Sequence, residues 1–250
     1  MIQLCILKIN GYGPWTLTLG SDREHELQIL QAKLYGELQK IFSEKNCLVF
    51  QNRSDEFFAV SNGMNLNDFV EIQKQIRKLF SINLSISIGF GNTPFEANLK
   101  AYEGKKNKKF LDKENEIFGF LNNESQSEVT IMHFDVEDLT SRRNTLSPFE
   151  ISEIIFELYY EMLKFFRKIN SLTFFMGGDN FMVVCSEDAK KNAQSFIDIV
   201  KKDHGIILNC GIGHAKTSRE AASFATKSLD TIREIRNSGK EKPEVYELKC

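Results

Sequence analysis

The chain has 250 residues, 42% of them hydrophobic and 26% charged, with 32 Lys and Arg against 34 Asp and Glu and a formal net charge of -2. This balance supplies no global positive field for a nucleic-acid backbone, and the apolar content, with 21 Phe, excludes a disordered chain. Five cysteines without a C-x-x-C pair read as reduced core thiols. No apolar run approaches the roughly 18–20 residues that cross a bilayer, and MIQLCILKI has no signal-peptide form, so a cytoplasmic protein with no polynucleotide or membrane partner is expected.

Taken in chain order, LCILKING (4–11) is a strand followed by Tyr12-Gly13-Pro14-Trp15 in a Gly-Pro turn. A helix then leads to LVFQNRSDEFFAV (48–60), two apolar runs flanking a polar tetrapeptide, the pattern of a β-hairpin with Asp55 at its tip. LSISIGFGNTPFEA (84–97) is a strand entering a helix, with Thr93 as N-cap and Glu96 three residues on. The GKKNKK run at 104–109 reads as a solvated helix end, with contact to phosphate the alternative. A Lys-, Asn- and Glu-rich stretch follows, and the domain boundary is expected at 122–127.

The second half repeats the first. At an offset of 124, Leu34, Tyr35, Glu37, Phe42 and Asn46 recur as Leu158, Tyr159, Glu161, Phe166 and Asn170. The hairpin recurs as LTFFMGGDNFMVV (172–184), with Asp179 opposite Asp55, and the strand-to-helix segment recurs as LNCGIGHAKTSREA (208–221), with Thr217 as N-cap. Upstream, the first strand resembles the strand around TIMHFDVE (130–137) at an offset of 127, which sets Lys8 opposite Asp135. The expected fold is therefore α+β: two tandem ferredoxin-like or palm βαββαβ domains, 1–122 and 128–250, with a further strand at EVYEL closing the second.

The strand ending His133-Phe134-Asp135-Val136-Glu137-Asp138 and the hairpin tip Gly177-Gly178-Asp179-Asn180 put two carboxylates on adjacent strands. Such strands lie roughly 4.8 Å apart, so Asp135 and Asp179 can share a cation. Oxygen-only ligands suit Mg²⁺, which keeps waters and binds substrate phosphates. Gly177 and Gly178 permit positive φ angles and let a phosphate approach the backbone. His133 shares a strand face with Asp135, and His214 follows a Gly-Ile-Gly strand end; either is a candidate general base. No zinc-ligand spacing or Walker-type loop occurs.

These motifs resemble the palm of GGDEF and class III nucleotidyl cyclases, in which a strand-end Asp and a hairpin-tip acid bind two metals. The resemblance implies catalytic and metal-binding roles for Asp135 and Asp179 and a backbone-carbonyl ligand at Val136. Arg236 and Lys240, in Ile235-Arg236-Asn237-Ser238-Gly239-Lys240, resemble the phosphate clamps of diguanylate cyclases, set i, i+4 so that both turn toward one triphosphate.

A resemblance covering nearly the whole chain is to the archaeal GTP cyclohydrolase III family. It rests on Tyr12-Gly13-Pro14-Trp15, Thr93-Pro94-Phe95-Glu96-Ala97, the acids around Asp135 and, above all, Gly177-Gly178-Asp179-Asn180-Phe181-Met182, where cyclases carry an acid in place of Asn180. It implies that GTP is opened by water at its imidazole ring to 2-amino-5-formylamino-6-(5-phosphoribosylamino)pyrimidin-4(3H)-one with phosphate release. It also implies two Mg²⁺, room for a monovalent cation, a homo-oligomer, and a place in flavin or deazaflavin precursor synthesis.

The first half departs from the pattern: Lys8 replaces the metal-binding Asp and is expected to neutralise Asp55, and Asn10 stands where the family usually carries Asp. That half is expected to supply substrate contacts through Asn10, Tyr12, Trp15 and Arg53, alongside Gly177, Gly178, Asn180, Arg236 and Lys240. For Arg53 a salt bridge to Asp55 or Glu56 is the competing role. Two other activities remain open: a palm enzyme making a cyclic or linked nucleotide, and a decayed GTP-binding sensor.

Overall fold

A computed structural model describes residues 1–80, 82–121, 128–137, 145–185 and 188–249. The expected boundary at 122–127, Asp138 and Cys250 lie outside the described residues. The chain divides into two compact units, residues 1–92 with 96–127, and 93–95 with 128–250.

In the first unit, β1 (Ile2–Ile9), α2 (Glu24–Glu44), β2 (Leu48–Arg53), β3 (Glu56–Val60), α3 (Leu66–Phe80) and β4 (Leu84–Gly91) form the βαββαβ repeat, and α4 (Pro94–Lys106) follows. The strands order as β2-β3-β1-β4, with β1 antiparallel to both neighbours, which is the ferredoxin-like arrangement. β1 is apolar along most of its length because helices bury residues on both faces. Its odd-numbered residues Cys5, Leu7 and Ile9 pack against Leu34, Leu38 and Phe42 of α2 and Phe69, Ile72 and Ile76 of α3.

The second unit repeats the plan with β7 (Val129–Val136), α5 (Pro148–Lys168), β8 (Leu172–Gly177), β9 (Asn180–Cys185), α6 (Ala189–His204), β10 (Leu208–Ala215) and α7 (Ser218–Asn237). Its strand order is β11-β10-β7-β9-β8, with β11 (Val245–Lys249) parallel to β10 as the expected closing strand. Phe134 of β7 meets Phe166 of α5 and Phe196 of α6 at ring separations of 5.6 and 6.0 Å, which fills the helix-covered face.

The recurrent residues have structural reasons. Asn46 and Asn170 both take left-handed backbone angles, with φ of 55° and 58°, where their helices end; Asn tolerates that region better than most residues. Tyr35 stacks on Phe57 and Tyr159 on Phe181, at 5.9 and 6.0 Å. Lys8 pairs with Ser85 and Asp135 with Asn209, and these partners are themselves 124 residues apart, so the register sets Lys8 opposite Asp135.

Two expectations for the first unit are corrected. The charged stretch after α4 also contains β5 (Phe110–Asp112) and β6 (Ile117–Gly119), the latter parallel to β4 as β11 is to β10. Their three-residue lengths carry too little periodicity to stand out among lysines and glutamates; pairing alone buries Ile117 and Phe118. Tyr12-Gly13-Pro14-Trp15 is not a Gly-Pro turn but opens a short helix, α1 (Tyr12–Leu17). Gly11 adopts φ 61° before it, the Trp15 amide donates to the Gly11 carbonyl at 2.9 Å, and Pro14 sits in the first turn, where a missing N–H costs nothing.

Candidate active site

The two helix positions along each sheet decide which side chains stay accessible. α5 and α6 cover one face of the second sheet, so the β7 residues of opposite parity, His133, Asp135 and, just beyond the strand, Glu137, emerge on the face that carries α7. α7 lies directly against β10 because Gly211 and Gly213 have no side chains: a Cβ on either would come within 2.0 Å of a helix carbonyl. Thr226, Asp230 and Arg233 form a stripe at i, i+4 and i+7 along α7, and its Thr and Arg reach residues of β7.

A polar chain runs across this face. The Asn180 amide donates to Asp179 Oδ1 at 2.9 Å, and its carbonyl oxygen lies 3.0 Å from His133 Nε2. His133 Nδ1 lies 3.2 Å from Thr226 Oγ1. An Nε2–H tautomer satisfies all three contacts: His133 donates to Asn180 and accepts from Thr226. An acid at position 180 could not donate to Asp179, which gives the Asn of the GGDN sequence a physical reason. Burial holds the His133 imidazole below its usual pKa, against the opposing pull of Asn180 and Asp135, and so keeps it neutral.

Asp135 is pushed the other way. Burial raises its pKa, Arg233 opposes that, and the nearby Asp179 carboxylate adds to it. The Arg233 guanidinium lies 3.2 Å from Asp135 and 3.0 Å from Asp230; burial disfavours its charge, and these two acids more than compensate. Glu137, with its side chain only 9% exposed, pairs with Lys242 at 2.6 Å and Arg236 at 3.6 Å. Burial would raise the Glu137 pKa, but the Lys242 contact leads the effects that bring it below the usual range.

The hairpin tip is tight. Gly177 pairs with Asn180 across a two-residue loop, and Gly177 and Gly178 have φ of 100° and 62°, the left-handed angles expected of them. The Glu137 amide donates to the Ile207 carbonyl at 2.9 Å on the β10 side, so by antiparallel alternation the Val136 N–H and C=O face β9 and the tip. Two carboxylates and one carbonyl are a sparse oxygen set, and among the described residues no group of three or more His, Cys, Asp or Glu is arranged as a metal cage. That donor set fits an ion such as Mg²⁺, which retains waters and takes further oxygens from phosphates.

Several expected site residues have other surroundings. His214 is at the far end of the sheet, 2.9 Å from Thr130 and 2.5 Å from Glu247. Thr130 precedes Asp135 by five positions, on the order of 17 Å along β7, so His214 is no general base for this face. Arg236 and Lys240 do not share a helical face: α7 ends at Asn237, Ser238 caps it and Gly239 turns with φ 75°, leaving Lys240 exposed beyond it.

In the first unit, Arg53 lies 3.6 Å from Asp55 and 3.9 Å from Glu56, while Lys8 is 4.0 Å from Asp55. The Asn10 amide donates to Glu116. Tyr12 accepts from Gln31 at 2.5 Å and packs 6.0 Å from the half-buried Trp15. Arg233, Thr226 and Lys242 are absent from the residues singled out in the sequence; the i, i+4, i+7 stripe was the available signal for the first two.

An apolar cavity of about 480 Å³ adjoins the tip, lined by Leu146, Pro148, Ile151, Ser152, Ile155, Phe156, Phe175 and Gly178. Together the repeat, the open sheet face and the acids at its edge define a tandem palm-domain protein. The model of the family described as GTP cyclohydrolase III matches residues 2–244.

Relatives named GTP cyclohydrolase III include those of Methanosphaera stadtmanae, 34% identical over 93% of this chain and 93% of its own, and Methanothermobacter thermautotrophicus, 34% identical over 93% and 95%. That of Methanococcus vannielii is 32% identical over 100% of this chain and 94% of its own. The chain belongs to the GTP cyclohydrolase III family, a family of enzymes. Among solved structures, the GGDEF domain of DgcB from Caulobacter crescentus resembles 48% of the chain, covering 77% of its own, at 12% identity and a TM-score of 0.38. A bacterial light-regulated adenylyl cyclase resembles 94% of the chain, over 83% of its own, at 13% identity and a TM-score of 0.41. Likeness of that degree carries no functional information.

Proposed function

We propose that this protein is a magnesium-dependent hydrolase that opens the imidazole ring of GTP, retains the formyl group and releases phosphate. The observation that carries the reading is the sharing of Gly178 between the apolar cavity and the tip bearing Asp179. A purine in that cavity has its triphosphate directed across the glycine turn toward Asp179 and Asp135. The aromatic walls Phe156 and Phe175 suit a planar base, and the turn offers backbone without side chains to a phosphate. In this reading the base lies in the second unit's own cavity and does not require stacking on Trp15.

Asp135, Asp179 and the Val136 carbonyl would hold Mg²⁺, which neutralises phosphate charge and lowers the pKa of a bound water. Asn180 and His133 position Asp179: both imidazole nitrogens are engaged, so His133 orients the chain of hydrogen bonds and is not the proton acceptor. Arg233 opposes the rise that burial gives the Asp135 pKa, and Lys242 and Arg236 hold that of Glu137 down. Incubation of the protein with GTP and Mg²⁺ should abolish the purine absorbance and yield the formylaminopyrimidine ribonucleotide with phosphate, and Asp179→Ala should remove both. GTP binding without ring opening or phosphate release would overturn the proposal, as would a cyclic or linked nucleotide as the product.

A further inference from the structure

The first unit contains a charge-inverted counterpart of the acidic face. A cavity of about 350 Å³ opens beside α4, lined by Ile6, Lys8, Glu56, Ser87, Tyr102, Lys105 and Lys106. Gly89 contacts Ala97 and Ala101 as Gly213 contacts Ala221 and Ala225, so α4 sits on its sheet as α7 does. The same register sets Lys8 opposite Asp135, Lys105 opposite Leu229 and Lys106 opposite Asp230. Where the second unit offers carboxylates for a cation, the first offers ammonium groups.

We propose that this cavity is a metal-independent binding site for a phosphoryl anion, held by Lys8, Lys105 and Lys106 with the Ser87 hydroxyl. The lysines are not simply solvated. Lys105 turns inward to donate to Ser85, and burial followed by repulsion from Lys8 lowers its pKa, a conflict that an anion between the two ammonium groups relieves. Lys8 is held only loosely by its acids, 3.8 Å from Glu56 and 4.0 Å from Asp55, and Arg53 also satisfies both carboxylates. Lys106 rests 5.8 Å from the Tyr102 ring. Among the described lining residues Glu56 is the one carboxylate, against three ammonium groups, and Glu116 and Glu56 offset only part of the lowering of the Lys105 pKa. Ammonium groups bind phosphate as point charges and need no metal to do so.

The test is equilibrium binding in EDTA, with inorganic phosphate and GTP as separate probes, so that no phosphate is held through a metal and the lysine variants report on this cavity. One equivalent of anion should bind, and Lys8→Ala and Lys106→Ala should each weaken it at least about tenfold, by removal of a charge-assisted contact. Glu56→Gln should tighten it, a gain that a folding defect does not produce. GTP binding at least as tight as inorganic phosphate identifies a nucleotide site, and phosphate binding alone identifies a site for the free anion; both support the proposal. No EDTA-resistant binding of either probe, or binding unchanged in all three variants, overturns it. Ring opening of GTP at the acidic face is measured separately with Mg²⁺ and is unaffected by that failure.

Discussion

Replacing Gly213 by Ala should damage both stability and catalysis, although Gly213 belongs to neither a cavity nor the acid pair. The added Cβ would sit 2.0 Å from the Ala221 carbonyl oxygen and 2.5 Å from the Ala225 amide, whereas real Cβ contacts stay beyond 3.0 Å. The difference, 3.0 minus 2.0, requires α7 to retreat by about 1 Å, because both obstructing atoms are helix backbone. Overpacking of this kind costs about 1–3 kcal/mol. At about 2–4 °C per kcal/mol for a chain of this length, the melting midpoint should fall by roughly 2–12 °C. The same retreat withdraws Thr226 and Arg233 from His133 and Asp135. A misplacement of about 1 Å costs on the order of a hundredfold in rate.

Thermal melting followed by circular dichroism and GTP turnover under saturating Mg²⁺ measure the two effects. Gly205→Ala is the control. Gly205, unlike Gly213, has a positive φ, 62°, but nothing lies within 4 Å of its Cβ position, so Ala there adds backbone strain of about 1–2 kcal/mol without moving α7. Gly213→Ala melting and turning over like the parent protein, or Gly205→Ala losing as much activity, would refute a backbone clash between β10 and α7.

Asn180→Asp should lower turnover by about 10–100-fold with little change in melting, because it replaces the donor to Asp179 by a second negative charge; steady-state kinetics would reveal it. Asp135→Asn should abolish activity yet raise the melting temperature of the metal-free protein at neutral pH. The folded-state pKa of Asp135 is raised, so its carboxylate destabilises the fold above that pKa, and the gain should vanish as melts are taken to acid pH where Asp135 is protonated in both states. Lys242→Met should destabilise by about 1–3 kcal/mol in urea titrations, since it removes the shortest ion pair of the buried Glu137 and leaves it Asn209 and the longer Arg236 contact. Glu137 has a depressed pKa, so its stabilisation is present above the unfolded value and lost as pH falls through the folded one; the variant should show a flatter profile over that acid window.

Much of this protein was determined by local patterns that survive in sequence. The duplicated helix face, the hairpins and the strand-to-helix entries follow from periodicity, capping and turn chemistry, which are short-range, and Asn46 and Asn170 mark the same left-handed helix end twice. Asp135 and Asp179 were legible because a strand end and a hairpin tip each announce themselves in a few residues. What the tertiary structure decided were the partners of those residues. Arg233 meets Asp135, Thr226 meets His133 and Lys242 meets Glu137 only because two glycines let α7 settle onto β10. The first unit's β5 and β6 are three-residue strands with no pattern of their own, and they exist because an open sheet edge supplies their hydrogen bonds. His214 shows the converse: its Gly-Ile-Gly strand end marks it as a candidate base, but it pairs with Thr130, at the other end of β7 from Asp135. Local propensity selects elements, whereas contacts between elements depend on how closely their backbones approach.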